Sequence, residues 1–309
     1  MNTLLGITLK IASTFAFLAM ATLIKLASDN MPIGELMFFR AFFAMIPLGI
    51  WLRMRGELAG AFRTKNIKGH AIRSLSGSGG MYFGFMSLSL LPLPDATAIG
   101  YLAPLIATIL AALLLKEIVR PYRWAAVFAG FCGMFLMTLP HFSNGSAAHL
   151  LSPGPALGAL AGLLASCCNG FSSIQIRKLA QVEQTGTIVF YFSLITSLIG
   201  LLTSFAVWRT PTPHEASLLV SAGICGGIGQ ILITSSYRFA DASVVVSFEY
   251  TTLVWAVAIG FLVFGDVPQP IVFLGALIVI ASGLYVIFRE RQLSRAARRA
   301  AEAAVETHL

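Results

Sequence analysis

The chain has 309 residues, of which 57% are hydrophobic and 11% charged, and its formal net charge is +8. Soluble globular proteins average roughly 45–50% apolar and about 25% charged residues, so one large soluble domain is excluded. Disorder is excluded as well, because aromatic and apolar residues are plentiful. The four cysteines lie in apolar runs without metal-ligand spacing, so neither a metal nor a cofactor is expected. Composition predicts an all-α integral membrane protein.

Ten apolar stretches have the length of about 20 residues that a membrane-crossing helix needs. The first five lie near 5–24, 33–52, 69–90, 95–115 and 122–139, and the second five near 155–176, 187–207, 216–237, 243–263 and 269–288. Their hydrophobicity is continuous and not alternating, which disfavours an outer-membrane barrel. Lys10 interrupts the first stretch and no basic residue precedes it, so an uncleaved helix is predicted there and not a signal peptide.

The basic residues predict the orientation through the positive-inside rule. If the N-terminus is cytoplasmic, the loops outside hold only Lys25 and Arg209. The residues on the inside are then Arg53, Arg55, Arg63, Lys65, Lys68, Lys116, Arg120, Arg123, Arg177, Lys178, Arg238, Arg289, Arg291, Arg295, Arg298 and Arg299. This asymmetry predicts an even number of spans with both termini cytoplasmic, and it explains the positive charge without nucleic acid. The tail 289–309 is interpreted as a topology signal, with contact to anionic membrane lipid as the alternative.

The two halves of the chain resemble each other. Residues 1–140 and 155–288 would each hold five spans, an odd number, so the second half is predicted to be inverted relative to the first. Inverted repeats of this kind underlie many secondary transporters, whose substrate site lies near the midplane. The matched positions are Lys25-Leu26-Ala27 with Lys178-Leu179-Ala180, Gly77 and Gly80 with Gly223 and Gly226, and Asp95-Ala96-Thr97 with Asp241-Ala242-Ser243.

Four stretches carry a resemblance to a known family: PIGELMFFR, RTKNIKGHAIRSLSGSGGMYFGF, LPLPDATAIGYLAPLIATILAALLLKE and SFEYTTLVWAVAIGFLVFGD. They resemble the EamA family of the drug/metabolite transporter superfamily, over nearly the whole chain. The resemblance implies ten transmembrane helices in two five-helix inverted repeats, and transport of small organic metabolites. PIGELMFFR, RTKNIKGH and LPLPDATAIG are similar to a bacterial subgroup that includes riboflavin carriers, and carriers of amino acids and S-adenosylmethionine also resemble it.

Charged residues inside spans are costly and usually face a cavity, a partner or the interface. Lys10, Arg73 and Glu249 are predicted at similar depth, so a charge cluster at the cytoplasmic mouth of a cavity is one interpretation. In it, Glu249 would bind a substrate cation or carry a coupling proton; a structural ion pair and snorkelling cations are the alternatives. Arg40 lies deeper, and it is expected either to contact an anionic or carbonyl group of the substrate or to bind backbone carbonyls of another helix.

Polar aromatic and amide side chains inside spans are further substrate-binding candidates, because they offer stacking surfaces and hydrogen bonds. Packing between helices is the alternative for each of them. The candidates are Tyr82, Tyr101, Tyr250, Asn169 and Gln230, with Tyr191 and Trp255 as additional aromatic residues. Clustered glycines in spans three and eight are expected to let helices approach closely.

The leading hypothesis is therefore a secondary transporter of the bacterial inner membrane, with riboflavin uptake as the expected activity. Transport of an amino acid or S-adenosylmethionine, inward or outward, is the alternative, and a receptor or scaffold without transport is a remote one. An enzyme is not expected, because all five histidines lie at or outside span ends. The sequence leaves the coupling ion and the oligomeric state undetermined, with a proton and a homo-oligomer as the candidates.

Overall fold

The computed structural model describes residues 3–27, 31–90, 99–100, 102–116, 120–143 and 153–249, with scattered positions between 251 and 293. Within these residues the regular structure is helical. The α-helices, in chain order, are α1 (Thr3–Ala27), α2 (Ile33–Phe43), α3 (Met45–Arg55), α4 (Ile67–Leu90), α5 (Leu102–Leu114), α6 (Pro121–Ser143), α7 (Pro153–Ala180), α8 (Thr185–Ser204), α9 (Pro213–Phe239) and α10 (Ala242–Ser247).

Five apolar segments of the described residues are long enough to cross a membrane. These segments are Thr3–Ile24, Ile33–Arg55, Ala156–Ala180, Thr185–Val207 and Pro213–Phe239. Each coincides with a span predicted from the sequence, and the helices α4, α5 and α6 coincide with three more. The described residues cover the predicted spans 243–263 and 269–288 only in part. Many large apolar side chains are exposed on the helices, including Phe128, Leu202 and Phe205, as a lipid-facing surface requires.

The second predicted span consists of two helices, α2 and α3, that meet at Ala44. Pro47 explains the break, because its ring has no N–H to donate to the carbonyl of Phe43 and clashes with it sterically. The segment ends at Gly56, whose left-handed φ of 68° terminates α3.

Three helix pairs form the centre of the bundle: α1 with α9, α4 with α7, and α2 with α8. Glycines let two of these helices, α2 and α8, approach closely. At the crossing of α2 and α8, a Cβ at Gly34 would lie 2.8 Å from the carbonyl oxygen of Gly200, and a Cβ at Gly200 would lie 2.7 Å from that of Gly34. Backbone therefore meets backbone at this crossing.

Candidate functional site

Two arginines from different helices meet at one aromatic ring in the interior. Arg40 of α2 and Arg73 of α4 are each only 2% exposed. The guanidinium carbon of Arg73 lies 3.8 Å from the centroid of the Phe192 ring, and that of Arg40 lies 5.6 Å from it. Both distances are within the range of cation–π attraction. Phe192 belongs to α8, so three helices contribute to this site, which we call the arginine pair.

The surroundings of the arginine pair hold each side chain in place with few polar contacts. Arg73 donates from Nη2 to Oε1 of Gln230, at 3.1 Å, and Arg40 donates from Nε to the sulfur of Met20, at 3.3 Å. Gly77 leaves space for one guanidinium, since a Cβ there would collide with Nη1 of Arg73. Within the described part of the chain, Nη1 of Arg40 and both Nε and Nη1 of Arg73 are buried without a hydrogen-bond acceptor.

Like charges at this separation repel each other. Because both guanidinium carbons lie near the same ring centroid, their separation is at most roughly 9 Å. At an effective dielectric constant of about 20, that separation corresponds to a repulsion of at least about 2 kcal/mol. Among the described residues neither arginine forms an ion pair with a carboxylate. Buried charges ordinarily have such partners. The arginine pair is therefore an anion-attracting site in the interior of the bundle.

A second buried charge contact joins the two halves of the chain. Lys10 of α1 is fully buried and forms an ion pair with Glu249, whose side chain is 37% exposed. One helical turn further along α1, Thr14 lies 3.2 Å from the hydroxyl of Thr251 and accepts a hydrogen bond from Nε1 of Trp255. This structural ion pair was one of the two interpretations of Lys10 and Glu249 from the sequence.

The structure divides the predicted charge cluster into two sites. Lys10 and Glu249 pair with each other, whereas Arg73 joins Arg40 through Phe192. Of the other candidates, Gln230 binds Arg73, Tyr82 packs edge-to-face on Phe83, and Asn169 lies against Gly80 of α4. Tyr191 donates to the carbonyl of Phe62 and packs against His70. Tyr101 and Tyr250 lie outside the described residues.

A hydrogen-bonded contact also joins two loops, at the end of the bundle predicted to face the cytoplasm. Glu183, in the turn between α7 and α8, accepts hydrogen bonds at Oε1 from Oγ1 of Thr64, at 2.8 Å, and from the backbone N–H groups of Lys65 and Asn66, at 2.8 and 3.1 Å. The same oxygen lies 3.8 Å from Nε2 of buried His70. We call this contact the Glu183 clasp.

The Glu183 clasp lowers the pKa of that carboxyl. Burial is the largest influence and raises the pKa, but the hydrogen bonds from Thr64 and Lys65, the charge of His70 and the hydrogen bond from Asn66 together outweigh it. The ionised form is therefore the one that the clasp stabilises.

A cavity of about 600 Å³ opens at the same end of the bundle, where α1, α3 and α9 meet. Its lining includes Leu5, Trp51, Arg55, Ile231 and Arg238. Ile231 of the cavity wall directly follows Gln230, the residue that binds Arg73. The cavity wall and the arginine pair therefore share the same turn of α9.

Two important residues were not among the sequence candidates. Phe192 is one phenylalanine among many in an apolar helix, and only its position between the two arginines distinguishes it. Glu183 lies in a loop, where a carboxylate is ordinarily solvated. The sequence feature that could have indicated Glu183 is its place in the turn between α7 and α8. Recognising its role requires knowing that this turn meets the loop before α4.

Comparison with known proteins gives two matches to one family. The EamA-like transporter family matches residues 4–139 and again residues 156–289. Together the two matches cover most of the chain.

Similar proteins of known function are transporters of different substrates. The S-adenosylmethionine uptake transporter of Rickettsia prowazekii is 26% identical, over 84% of each chain. The pseudopaline exporter of Pseudomonas aeruginosa is 25% identical, over 90% of this chain and 94% of the exporter. The riboflavin transporter of Vibrio cholerae is 30% identical, over 77% of each chain.

A solved crystal structure has a similar fold. It superimposes with a TM-score of 0.77, over 93% of this chain and 98% of that one. The two sequences are 18% identical, so this likeness concerns the fold alone.

Proposed function

Because this chain belongs to the EamA-like transporter family, it is a multi-pass membrane transporter and not an enzyme, and we propose that it is a secondary carrier. It moves a small organic metabolite across the bacterial inner membrane by alternating access. The arginine pair carries this proposal: at the meeting point of α2, α4 and α8, two buried guanidinium groups have donors for which the described residues supply no acceptor. Such a site suits a solute that enters, binds and leaves.

The proposal includes ten spans in two five-helix inverted repeats, over residues 1–140 and 155–288, with the tail 289–309 and both termini cytoplasmic. The helix pairing supports the repeats. If α1 corresponds to α7 and α4 to α9, then the pair α1–α9 corresponds to the pair α7–α4, and both pairs are extensive. The pair α2–α8 corresponds to itself, as expected at an axis that relates two halves.

Sequence spacing extends this correspondence into the site. Gly34 and Gly186 occupy equivalent places near the start of α2 and α8. Gly34 packs closely on Gly200 of α8, and Gly186 packs closely on Leu52 of α3, the helix that continues the span of α2. Counting six residues from each of the two glycines leads to Arg40 in α2 and to Phe192 in α8. The contact of Arg40 with Phe192 is therefore one between equivalent positions of the proposed repeats.

Riboflavin, the substrate expected from the sequence, and S-adenosylmethionine are the two leading candidates. The 30% identity to a riboflavin transporter supports the first, and the coverage of 84% in an S-adenosylmethionine transporter supports the second. Both solutes offer hydrogen-bond acceptors and a flat heteroaromatic ring. The arginine pair with Phe192 provides donors and an aromatic surface for such a solute.

Glu249 is proposed to carry a coupling proton. It is the acidic member of a buried pair and retains partial exposure, so a proton has access to it while Lys10 stays inside. Protonation of Glu249 would leave the buried ammonium of Lys10 without its partner. The two halves of the chain would then lose a contact that favours their association, which couples proton binding to movement.

Proteoliposomes test the proposal directly. Purified protein is reconstituted and loaded in turn with unlabelled riboflavin, S-adenosylmethionine or a mixture of amino acids, and entry of the corresponding labelled solute is followed. A carrier exchanges at least one of these solutes faster than protein-free vesicles do. If no solute exchanges, although the reconstituted protein binds one of them, a receptor or scaffold replaces the carrier.

A further inference from the structure

The donors of the arginine pair outnumber the acceptors around them. Nη1 of Arg40, and Nε and Nη1 of Arg73, are buried and have no hydrogen-bond partner in the described residues. The two side chains contact a phenylalanine ring, a methionine sulfur and one amide oxygen, and the buried Tyr237 also acts electrostatically on Arg73. An arginine that served only to hold helices together would direct these donors to backbone carbonyls or carboxylates.

Three partly or fully buried carboxylates of the described residues contact other groups and not the arginine pair. Glu249 pairs with Lys10, and Glu35 accepts a hydrogen bond from the backbone N–H of Arg209, at 3.1 Å. Glu183 is held by the loop before α4. Two buried positive charges thus remain without a negative charge from the described part of the chain, and a mobile anion is the simplest partner for them.

We propose that the arginine pair binds a carboxylate group of the transported solute. Guanidinium and carboxylate are both planar, and their N–H and oxygen atoms match in pairs, so each arginine offers a carboxylate two parallel hydrogen bonds. Gln230 keeps Arg73 oriented through its amide oxygen, and the Phe192 ring lies against both guanidinium groups. This inference rests on the proposed transport function and adds the chemical class of its substrate. It favours S-adenosylmethionine or another amino acid derivative over riboflavin, which has no carboxylate.

Paired ligands test the inference on the purified full-length protein. S-adenosylmethionine is compared with its decarboxylated analogue, and methionine and lysine are compared with their α-carboxamides. Inorganic phosphate and riboflavin complete the panel. Binding is measured as ligand-induced thermal stabilisation, and exchange is measured in proteoliposomes. The variants are Arg40→Gln and Arg73→Gln, the charge-conserving Arg40→Lys and Arg73→Lys, and the control Arg63→Gln, which removes an exposed arginine.

The wild type should bind at least one carboxylate about 10–100-fold more tightly than its partner compound, the range expected for charge-assisted hydrogen bonds. Arg40→Gln and Arg73→Gln should lose that preference, the lysine variants should retain part of it, and Arg63→Gln should keep it. If a glutamine variant fails to fold, the matching lysine variant and the wild-type preference still decide.

Three results would overturn the inference. One is equal binding of every carboxylate and its partner compound by the wild type. Another is stabilisation by phosphate that matches or exceeds that by every carboxylate. The third is riboflavin exchange that survives in both glutamine variants without any carboxylate being bound. Exchange without carboxylate preference refutes only the substrate class, whereas absence of exchange for every solute refutes the transport function.

Discussion

Glu183 provides a test in which charge and hydrogen bonding are separable, because a single oxygen, Oε1, accepts three hydrogen bonds from residues 64–66. Glu183→Gln retains a carbonyl oxygen at that place and removes the negative charge. Glu183→Ala removes the acceptor altogether. Any effect of the glutamine variant therefore reports the charge, and the further effect of the alanine variant reports the hydrogen bonds.

The expected magnitudes follow from the contacts. A hydrogen bond to a charged group contributes roughly 1.5–3 kcal/mol, and the donors here are partly buried, so the lower end applies. Since one oxygen shares three donors, we expect Glu183→Ala to lower the free energy of unfolding by about 3–4 kcal/mol. Glu183→Gln should lower it by about 1–2 kcal/mol, the part that depends on charge.

The pH dependence has a definite sign. Because the folded-state pKa of Glu183 is lowered, its contribution to stability is fully present above the unfolded-state value of about 4.3. The contribution is lost as the pH falls through the lower, folded-state pKa. His70 faces Glu183 and gains its positive charge as the pH falls from 7, which strengthens the contact. The difference in stability between wild type and Glu183→Gln should therefore be kept or increased down to about pH 5 and shrink below about pH 4.3.

The apparent Tm of detergent-purified protein, measured from pH 3 to pH 7, gives this difference. Glu57→Gln is the matched control, because its carboxylate lies on the same side of the bundle and makes only a 3.9 Å contact with Arg55. That control should change the Tm little at any pH. A Glu183→Gln variant as stable as the wild type at pH 7, or a difference that fails to shrink below about pH 4.3, would refute the reasoning.

Two further predictions concern the interior. Gly77→Ala should displace the Arg73 guanidinium, weaken carboxylate binding about 10-fold and lower the free energy of unfolding by about 1–3 kcal/mol. Gly49→Ala is the control, because a Cβ added there meets open space, and it should change neither the Tm nor the binding appreciably. Glu249→Gln should abolish proton-driven accumulation in proteoliposomes and spare counterflow exchange; unchanged accumulation at every pH would contradict the proton role. Glu249→Gln should also lower the free energy of unfolding by about 2 kcal/mol, because it leaves Lys10 buried without its partner. The double variant with Lys10→Met should recover much of that loss, and Tm measurements report both changes.

Much of the helical arrangement was predictable from hydropathy, because a membrane-crossing helix needs a long apolar run that few other structures require. The break at Ala44 was also accessible, since Pro47 has a local and predictable effect on its helix. The family resemblance was accessible for a similar reason: it depends on stretches that are contiguous in the chain.

The partners of the buried charges were not predictable from the sequence. Depth along a span can be counted in residues, and by depth Lys10, Arg73 and Glu249 belonged together. Contact also depends on which side of each helix faces which neighbour, and an apolar helix with weak amphipathicity does not reveal that. The structure supplies this information, and it separates Arg73 from Glu249 and brings it to Phe192.

The crossing of Gly34 and Gly200 bears on how the protein can move. Where two main chains touch directly, no interlocked side chains need to be released when the angle between the helices changes. A small rotation about that point keeps the two helices in contact at the crossing, whereas the displacement of each helix grows with distance from it. The crossing can thus act as a pivot, whereas a methyl group on either glycine would push the two main chains apart.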